Sequence, residues 1–304
     1  MNVDSFKMRR FVVAGINGQF GRVLARKLIS SGASICGIDV QSSATEPSLC
    51  DRYICSSIAN LTEAAMQVIA DSDYVLLCLP EHVILEALPK LCGIMRDDSL
   101  LIDIASVKSR IRDTLSKIGS RVGYLSIHPM FGPMDDFSEQ SIGLVPMYEN
   151  PRLRSFMGVI PAWGASTVEL TADQHDTLTA FVQALPHAAI MAFGSALVRS
   201  GLTFEMLLKI ATPIQKIMLA LATRVVGGQR DTYWSIQTAN PVAGIVRNEL
   251  EEEIRAISDI AIKSNFDDFS LKLDAIQEFL NPSRQALEEL ADNCVARAKF
   301  KDPS

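Results

Sequence analysis

The stretch "FVVAGINGQFGRVLARKLISSG", running from Phe11 to Gly32, constrains the fold more than any other part of the chain. Four apolar β-formers lead into glycines at 15, 18 and 21, and a helical pattern starts before the last glycine has passed. A strand that turns through glycine straight into a helix leaves bare backbone N–H groups and a helix N-terminus at its carboxyl end, an arrangement that suits a pyrophosphate. Gln19 and Phe20 lie inside the same turn and belong to the candidate nucleotide site with Gly15, Gly18 and Gly21. The spacing is G-x-x-G-x-x-G rather than G-x-G-x-x-G, and a tight turn without a ligand would use similar residues, so the glycines alone are a weak signal.

The next strand, "ASICGIDV", strengthens it by ending in Asp39, at about the twenty-residue interval where an acid accepts hydrogen bonds from the adenosine ribose. Asp39 would repel a 2′-phosphate, and no arginine follows it in "DVQSSAT", so NAD is expected as cofactor in preference to NADP. "VLLCLPEHV" ends a further strand at Leu79-Pro80, where a doubly wound sheet presents its ligand-facing loops. Leu79, Pro80 and Val83 are candidates to line the cofactor, whereas His82 is as apt to cap the next helix.

Seven short β-rich runs are expected to be strands, namely 11–14, 34–39, 74–78, 100–103, 123–127, 143–147 and 167–170. In the first half they alternate with helical patterns, the mark of a parallel sheet with crossover helices. The character changes at "TADQHD", where Thr171 and Gln174 make a capping box. Beyond it only helices are expected, at 172–198, 203–226, 232–239, 241–262, 269–280 and 282–298. Asn240-Pro241 and Asn281-Pro282 each read as an N-cap followed by proline, and Gly227-Gly228 as a stop. The expected architecture is therefore α/β: a Rossmann-like doubly wound sheet over residues 1–170, then an all-helical domain over 171–304 adjoining it near a cleft. Runs such as "ALPHAAIMAFGSALV" hold more apolar positions than one packed face needs, so a homodimer through the helical domain is expected, a thick single core being the plainer alternative.

Composition narrows the function. A chain of 304 residues that is 48% hydrophobic can fill two cores. A net charge of −6 without Lys/Arg runs argues against nucleic acid or an anionic membrane as partner. Six cysteines without CxxC spacing, and no secretory pattern at the start, suggest reduced thiols in the cytoplasm. No segment is read as a transmembrane helix and no metal site is expected, which leaves small-molecule chemistry.

Three polar groups fall just beyond the ends of later strands: Ser106 and Lys108 in "LIDIASVK", and His128 in "LSIHPMFGP". All three are expected at one crevice. With "HD" at 175–176, "FVQALPH" at 181–187, "TPIQKIMLALATRV" and "TYWSIQTAN", these motifs resemble, along nearly the whole chain, the prephenate dehydrogenase family, the cyclohexadienyl dehydrogenases of aromatic biosynthesis.

The resemblance implies a Rossmann domain followed by a helical dimerisation domain. It also implies NAD(P)-dependent oxidation of a cyclohexadienol-type dicarboxylate with release of carbon dioxide. His128 matches the family's catalytic histidine, a base with the near-neutral pKa this proton transfer needs. Ser106 matches a serine at the reacting centre, with helix capping as its structural alternative. Arg224 matches the arginine that binds the ring carboxylate, a task suited to a forked guanidinium. His187 matches a histidine near the substrate side chain, although a satisfied core histidine would look the same. Gln183 should share its helix face, and Tyr233 borders the pocket. Lys108 and Lys216 are lesser candidates, since lysines near helix ends are usually solvated, and His175 is taken as structural or at a hinge.

Lys216, where relatives carry arginine, and Met134, where they carry an acid, point to an altered pocket. The expected reaction is prephenate to 4-hydroxyphenylpyruvate. The alternative is 4-amino-4-deoxyprephenate to 4-aminophenylpyruvate, which differs only in the C4 group; arogenate is a third substrate. A non-catalytic NAD sensor would have no use for His128, Ser106 and Arg224 together, and hydroxyacid dehydrogenases use a helical lysine base and lack "HPMFGP".

Overall fold

The computed structural model of the protein describes residues 6–298. They divide into two compact units between Leu178 and Thr179.

The first unit is built on an eight-stranded sheet in the order β3-β2-β1-β4-β5-β6-β7-β8. The strands are β1 (Arg10–Ala14), β2 (Ser34–Asp39), β3 (Arg52–Cys55), β4 (Tyr74–Leu77), β5 (Leu100–Asp103), β6 (Gly123–Pro129), β7 (Ser141–Tyr148) and β8 (Ser166–Glu169). β1 to β6 run parallel, β7 is antiparallel to β6, and β8 is parallel to β7. The central strands are buried at every position, as in "YVLL" and "LLID", because helices cover both faces and leave no polar side to alternate with. The connecting helices are α1 (Gln19–Ser30), α2 (Glu63–Asp71), α3 (Glu81–Ile94), α4 (Ser109–Ile118) and α5 (Pro151–Met157). Two apolar clusters form, one around Phe11, Tyr74 and Phe156 and the other around Val75, Ile84 and Tyr124. Chain order reverses between β1 and β4, and such a switch point opens a crevice at the strands' carboxyl ends.

β3 is not among the expected strands. Four residues long and opened by Arg52, it lies at the sheet edge and pairs only with β2, so it shows neither alternation nor an apolar run.

The helical elements continue with α6 (Ala172–Thr179), a π-helical turn over Ala180–Ala184, and α7 (Leu185–Arg199). The capping box forms: Thr171 N–H donates to Gln174 Oε1 at 2.9 Å and Gln174 N–H to Thr171 Oγ1 at 3.2 Å. The π turn precedes Pro186, which cannot donate to the preceding turn of an α-helix and crowds its carbonyls; an i→i+5 turn relieves both faults. Residues 177–198 carry no charge, and Ala172–Arg199 is long and apolar enough to cross a membrane by length and composition.

The second unit continues with α8 (Phe204–Lys209), α9 (Pro213–Val226), α10 (Arg230–Thr238), α11 (Ala243–Ile262), α12 (Phe266–Leu280) and α13 (Arg284–Arg297). The single helix expected over 203–226 is two, because Pro213 opens α9 and Thr212 caps it, accepting from Gln215 N–H at 3.2 Å. Asn240 does not cap α11: it accepts from Val242 N–H at 2.9 Å within the turn ahead of the helix, whose N-cap position is Val242. Asn281 does not cap; it begins a three-residue 3-10 turn ahead of α13.

Candidate active site

β6 carries His128 to the end of the sheet, 4% exposed. Its Nδ1 lies 2.8 Å from His175 Nε2, and His175 Nδ1 lies 2.9 Å from Asp176 Oδ1. Asp176 also accepts from the backbone N–H groups of Lys108 and Ser109, each at 2.9 Å, and so caps α4. Burial opposes ionisation of Asp176, but the bonds from His175, Ser109 and Lys108 outweigh it and hold its carboxyl below the usual range.

An ionised Asp176 accepts only, which fixes every proton in the chain. His175 carries its hydrogen on Nδ1, so a neutral His175 presents a bare Nε2. His128 must then carry its hydrogen on Nδ1, and its Nε2 holds the lone pair. Burial first, then the charge of Lys108, then His175, push the His128 pKa well below the ordinary histidine value. Burial likewise lowers His175. The outcome is a neutral imidazole locked in one tautomer, poised to accept a proton at Nε2.

Lys108 is not a surface lysine. Fully buried, it donates through Nζ to Ala105 O and, at 2.8 Å, to Ile127 O, with Asp103 Oδ1 at 3.8 Å. Burial drops its pKa to about 8 despite Asp103, Asp176 and Glu81 nearby. Its ammonium ties the β5–α4 turn to the β6 backbone, one residue before His128. Ser106 lies half-buried in that turn with no side-chain hydrogen bond to a described residue, and Asp176, not Ser106, caps α4.

The nucleotide half of the site lies across the switch point. Gly15 has φ of +77°, and a Cβ there would stand 2.3 Å from Cys78 O; a Cβ at Gly21 would stand 2.1 Å from Gly15 O. The turn thus brings β1, α1 and the end of β4 into backbone contact. α1 begins without a capping side chain or an acid in its first turn, which suits an anionic ligand. Asp39 ends β2, with its Oδ2 accepting from Asn17 N–H at 3.0 Å. Gln19 and Pro80 are exposed; Phe20, Leu79 and Val83 are half-buried, Leu79 lying beside Gly15. These groups fit a dinucleotide: a bare helix N-terminus for its phosphates and an acid for its ribose.

In the second unit His187, on α7, meets Tyr233, on α10, edge to face with ring centroids 4.8 Å apart. Tyr233 lies where a Cβ on Gly228 would clash at 2.4 Å, so the double glycine seats this ring as well as ending α9. His187 Nδ1 is buried without a hydrogen-bond partner among the described residues, and burial lowers the imidazole's pKa. Gln183 lies in the π turn, half-buried. Arg224 and Lys216 both stand on α9; Arg224 is exposed and forms no ion pair with a described residue.

The residues that sequence reasoning missed are His175 and Asp176. The dipeptide "HD" was visible, yet nothing in local pattern placed it 47 residues from its partner His128.

A Rossmann-type sheet with a glycine turn, a ribose acid and a buried neutral histidine at the strand ends defines a dinucleotide-binding protein of the dehydrogenase type. Residues 24–150 match the nucleotide-binding domain of prephenate dehydrogenase and residues 171–274 its dimerization domain. The chain is 31% identical over 281 residues to 4-amino-4-deoxyprephenate dehydrogenase of Streptomyces pristinaespiralis, covering 92% of this chain and 94% of that one. It is 29% identical to the T-protein of Enterobacter agglomerans, over 76% of this chain and 56% of that one. Among solved structures, prephenate dehydrogenase from A. aeolicus, in complex with hydroxyphenyl propionate and NAD+, superposes with a TM-score of 0.73 at 21% identity, over 90% of this chain and 97% of that one. The chain belongs to the prephenate dehydrogenase family of oxidoreductases.

Proposed function

We propose that this protein catalyses NAD-dependent oxidative decarboxylation of a prephenate-type cyclohexadiene. The observation that carries the reading is the buried chain from Asp176 through His175 to His128, which leaves a neutral base at the end of β6. In this reading His128 Nε2 accepts the proton from the C4 substituent. The imidazolium formed is stabilised through His175 by the Asp176 carboxylate, whose charge the α4 N–H groups hold in place. Bound NAD supplies the acceptor for the C4 hydride, and departure of the ring carboxylate as carbon dioxide leaves an aromatic product.

Gly15, Gly18, Gln19, Phe20 and Gly21 would hold the pyrophosphate, Asp39 the ribose, and Leu79, Pro80 and Val83 the remainder of the cofactor. Ser106 is assigned to the C4 group. Arg224, without an ion pair among the described residues, is assigned to a substrate carboxylate, with Lys216, His187, Gln183 and Tyr233 as further substrate contacts. The apolar side chains exposed on the second unit, Ile254, Ile257 and Leu273 among them, are the material a homodimer interface needs. The six free cysteines fit a cytoplasmic location.

A specific observation favours the amino substrate over prephenate: 4-amino-4-deoxyprephenate dehydrogenase is the more similar, at 31% identity over 94% of its length, against 29% and 25% for two T-proteins matched over 56% and 73% of theirs. Parallel assays of prephenate, 4-amino-4-deoxyprephenate and arogenate, each with NAD and with NADP, test both levels. NADH formation from one of them is expected, with the amino compound fastest; no turnover of any would sink the enzymatic reading.

A further inference from the structure

One buried side chain holds together the loop that follows β2. Asn17, 7% exposed, directs its amide nitrogen at Gln41 Oε1 (3.1 Å), Ser43 O (3.0 Å) and the Tyr53 hydroxyl (3.2 Å). Two N–H groups serve these three acceptors, so one is shared. The amide oxygen accepts from Thr45 N–H at 2.7 Å, and the Asn17 backbone N–H donates to Asp39 Oδ2 at 3.0 Å. Tyr53 donates in turn to Gln41 O at 2.6 Å. A second strap runs alongside: Arg22 donates to Asn17 O, and Arg22 and Arg26 both pair with Glu46, each at 3.0 Å.

We propose that Asn17 is a positioning residue for the dinucleotide, fastening residues 40–46 to the glycine turn so that the adenosine-ribose end of the site is formed before the cofactor arrives. This rests on the NAD reading given above.

Three features argue for it. The segment "VQSSATE" buries no side chain fully; Val40, its one large hydrophobe, is 72% exposed, and Ala44 is only half-buried. Its order therefore comes from hydrogen bonds, and those converge on Asn17 at alternate residues 41, 43 and 45. Second, the Asn17 backbone bond holds one Asp39 oxygen, which orients the carboxylate while its remaining lone pairs can accept from ribose hydroxyls. Third, the arginines bordering the loop are both committed to Glu46, so neither is placed to neutralise a 2′-phosphate. A preformed loop spares the ligand the cost of ordering it.

The test compares wild type with Asn17→Ala and Tyr53→Phe, reading NAD affinity by calorimetry and amide hydrogen exchange in the cofactor-free protein. Asn17→Ala should raise the Kd for NAD about tenfold, the scale of one or two net hydrogen bonds. The Thr45 amide, which donates to Asn17, should lose its protection, and kcat at saturating NAD should change less than about twofold. Tyr53→Phe removes one partner and should raise Kd by roughly twofold to threefold; it also serves if Asn17→Ala does not fold. Faster Thr45 exchange with an unchanged Kd would overturn the proposal, since the bonds would then order the loop without serving the cofactor. Unchanged exchange would overturn it equally. A wild type that binds NAD beside variants that bind it as tightly sinks this inference alone; a wild type that binds no NAD sinks the reading beneath it.

Discussion

The two units of this chain treat their polar groups in opposite ways. In the first, Lys108, Asp103, His128, His175 and Asp176 are all at least 95% buried, and His128, His175, Asp176 and Lys108 are joined by the bonds already described. In the second, the buried apolar core comprises Ala180, Ala184, Ile236, Ala243 and Val246, and most of the large hydrophobes on α11, α12 and α13 face outward in the single chain. The first unit can preorganise its chemistry within one chain, because two sheet faces supply the desolvation that fixes tautomers and pKa values. A helical unit with so small a core cannot rigidify the side chains assigned to substrate by internal packing. Its Arg224 and Lys216 stand on a helix whose only buried residue is Val225.

The strongest way to break this comparison is to remove the base. His128→Asn should cost roughly two to four orders of magnitude in kcat, the scale of a lost general base, while the NAD Kd measured by calorimetry stays within about twofold. A kcat near wild type would take His128 out of the mechanism. In the second unit, Arg224→Ala should act on binding instead. The substrate KM should rise on the order of 10- to 100-fold for a lost charge-assisted contact, with kcat changing much less; an unchanged KM would count against the carboxylate assignment.

A third substitution probes the positioning of the base. His175→Phe should lower kcat about tenfold, since the imidazole would lose its tautomer lock but keep its burial. The decisive reading is the pH profile of kcat/KM. In the wild type the acid limb should lie well below the ordinary value of 6.5, so activity stays flat as pH falls through 6.5 and drops only in more acidic buffer. Lys108→Met removes a positive charge that helps burial depress His128, and should move that limb upward. The same depression bears on stability. The unfolded chain protonates His128 near 6.5 and the folded one does not, so stability should decline as pH falls below that value; thermal melts across pH 5 to 7.5 would show it.

The smallest expected effect on cofactor binding comes from Ile257→Glu, at a position 46% exposed on α11. Sedimentation equilibrium should show weakened self-association, while NAD affinity, a property of the first unit, changes less than about twofold. Unaltered association would remove this face of α11 from the dimer interface.

Much of this was legible in the chain itself. The glycine turn, Asp39, "SVK" and "HPMFGP" lie at strand ends, and strand ends can be read because a buried parallel strand is a short apolar run closed by turn residues. The capping box at Thr171 and Gln174 is similarly local. β3 is not legible because an edge strand of four residues carries too little pattern, and the break before α9 because the apolar helical period continues across Thr212-Pro213.

By itself the sequence determined most of the order of elements, the glycine turn with Asp39 after it, and the place of His128 at a strand end, since each depends on residues close together in the chain. Tertiary structure alone decided what surrounds that base. It carried Asp176 to the start of α4 and His175 to His128, drew Lys108 out of solvent, and folded residues 41, 43 and 45 onto Asn17. The contacts of Asn17, His175 and Asp176 join segments 24 to 68 residues apart, and only packing can select among so many candidate partners.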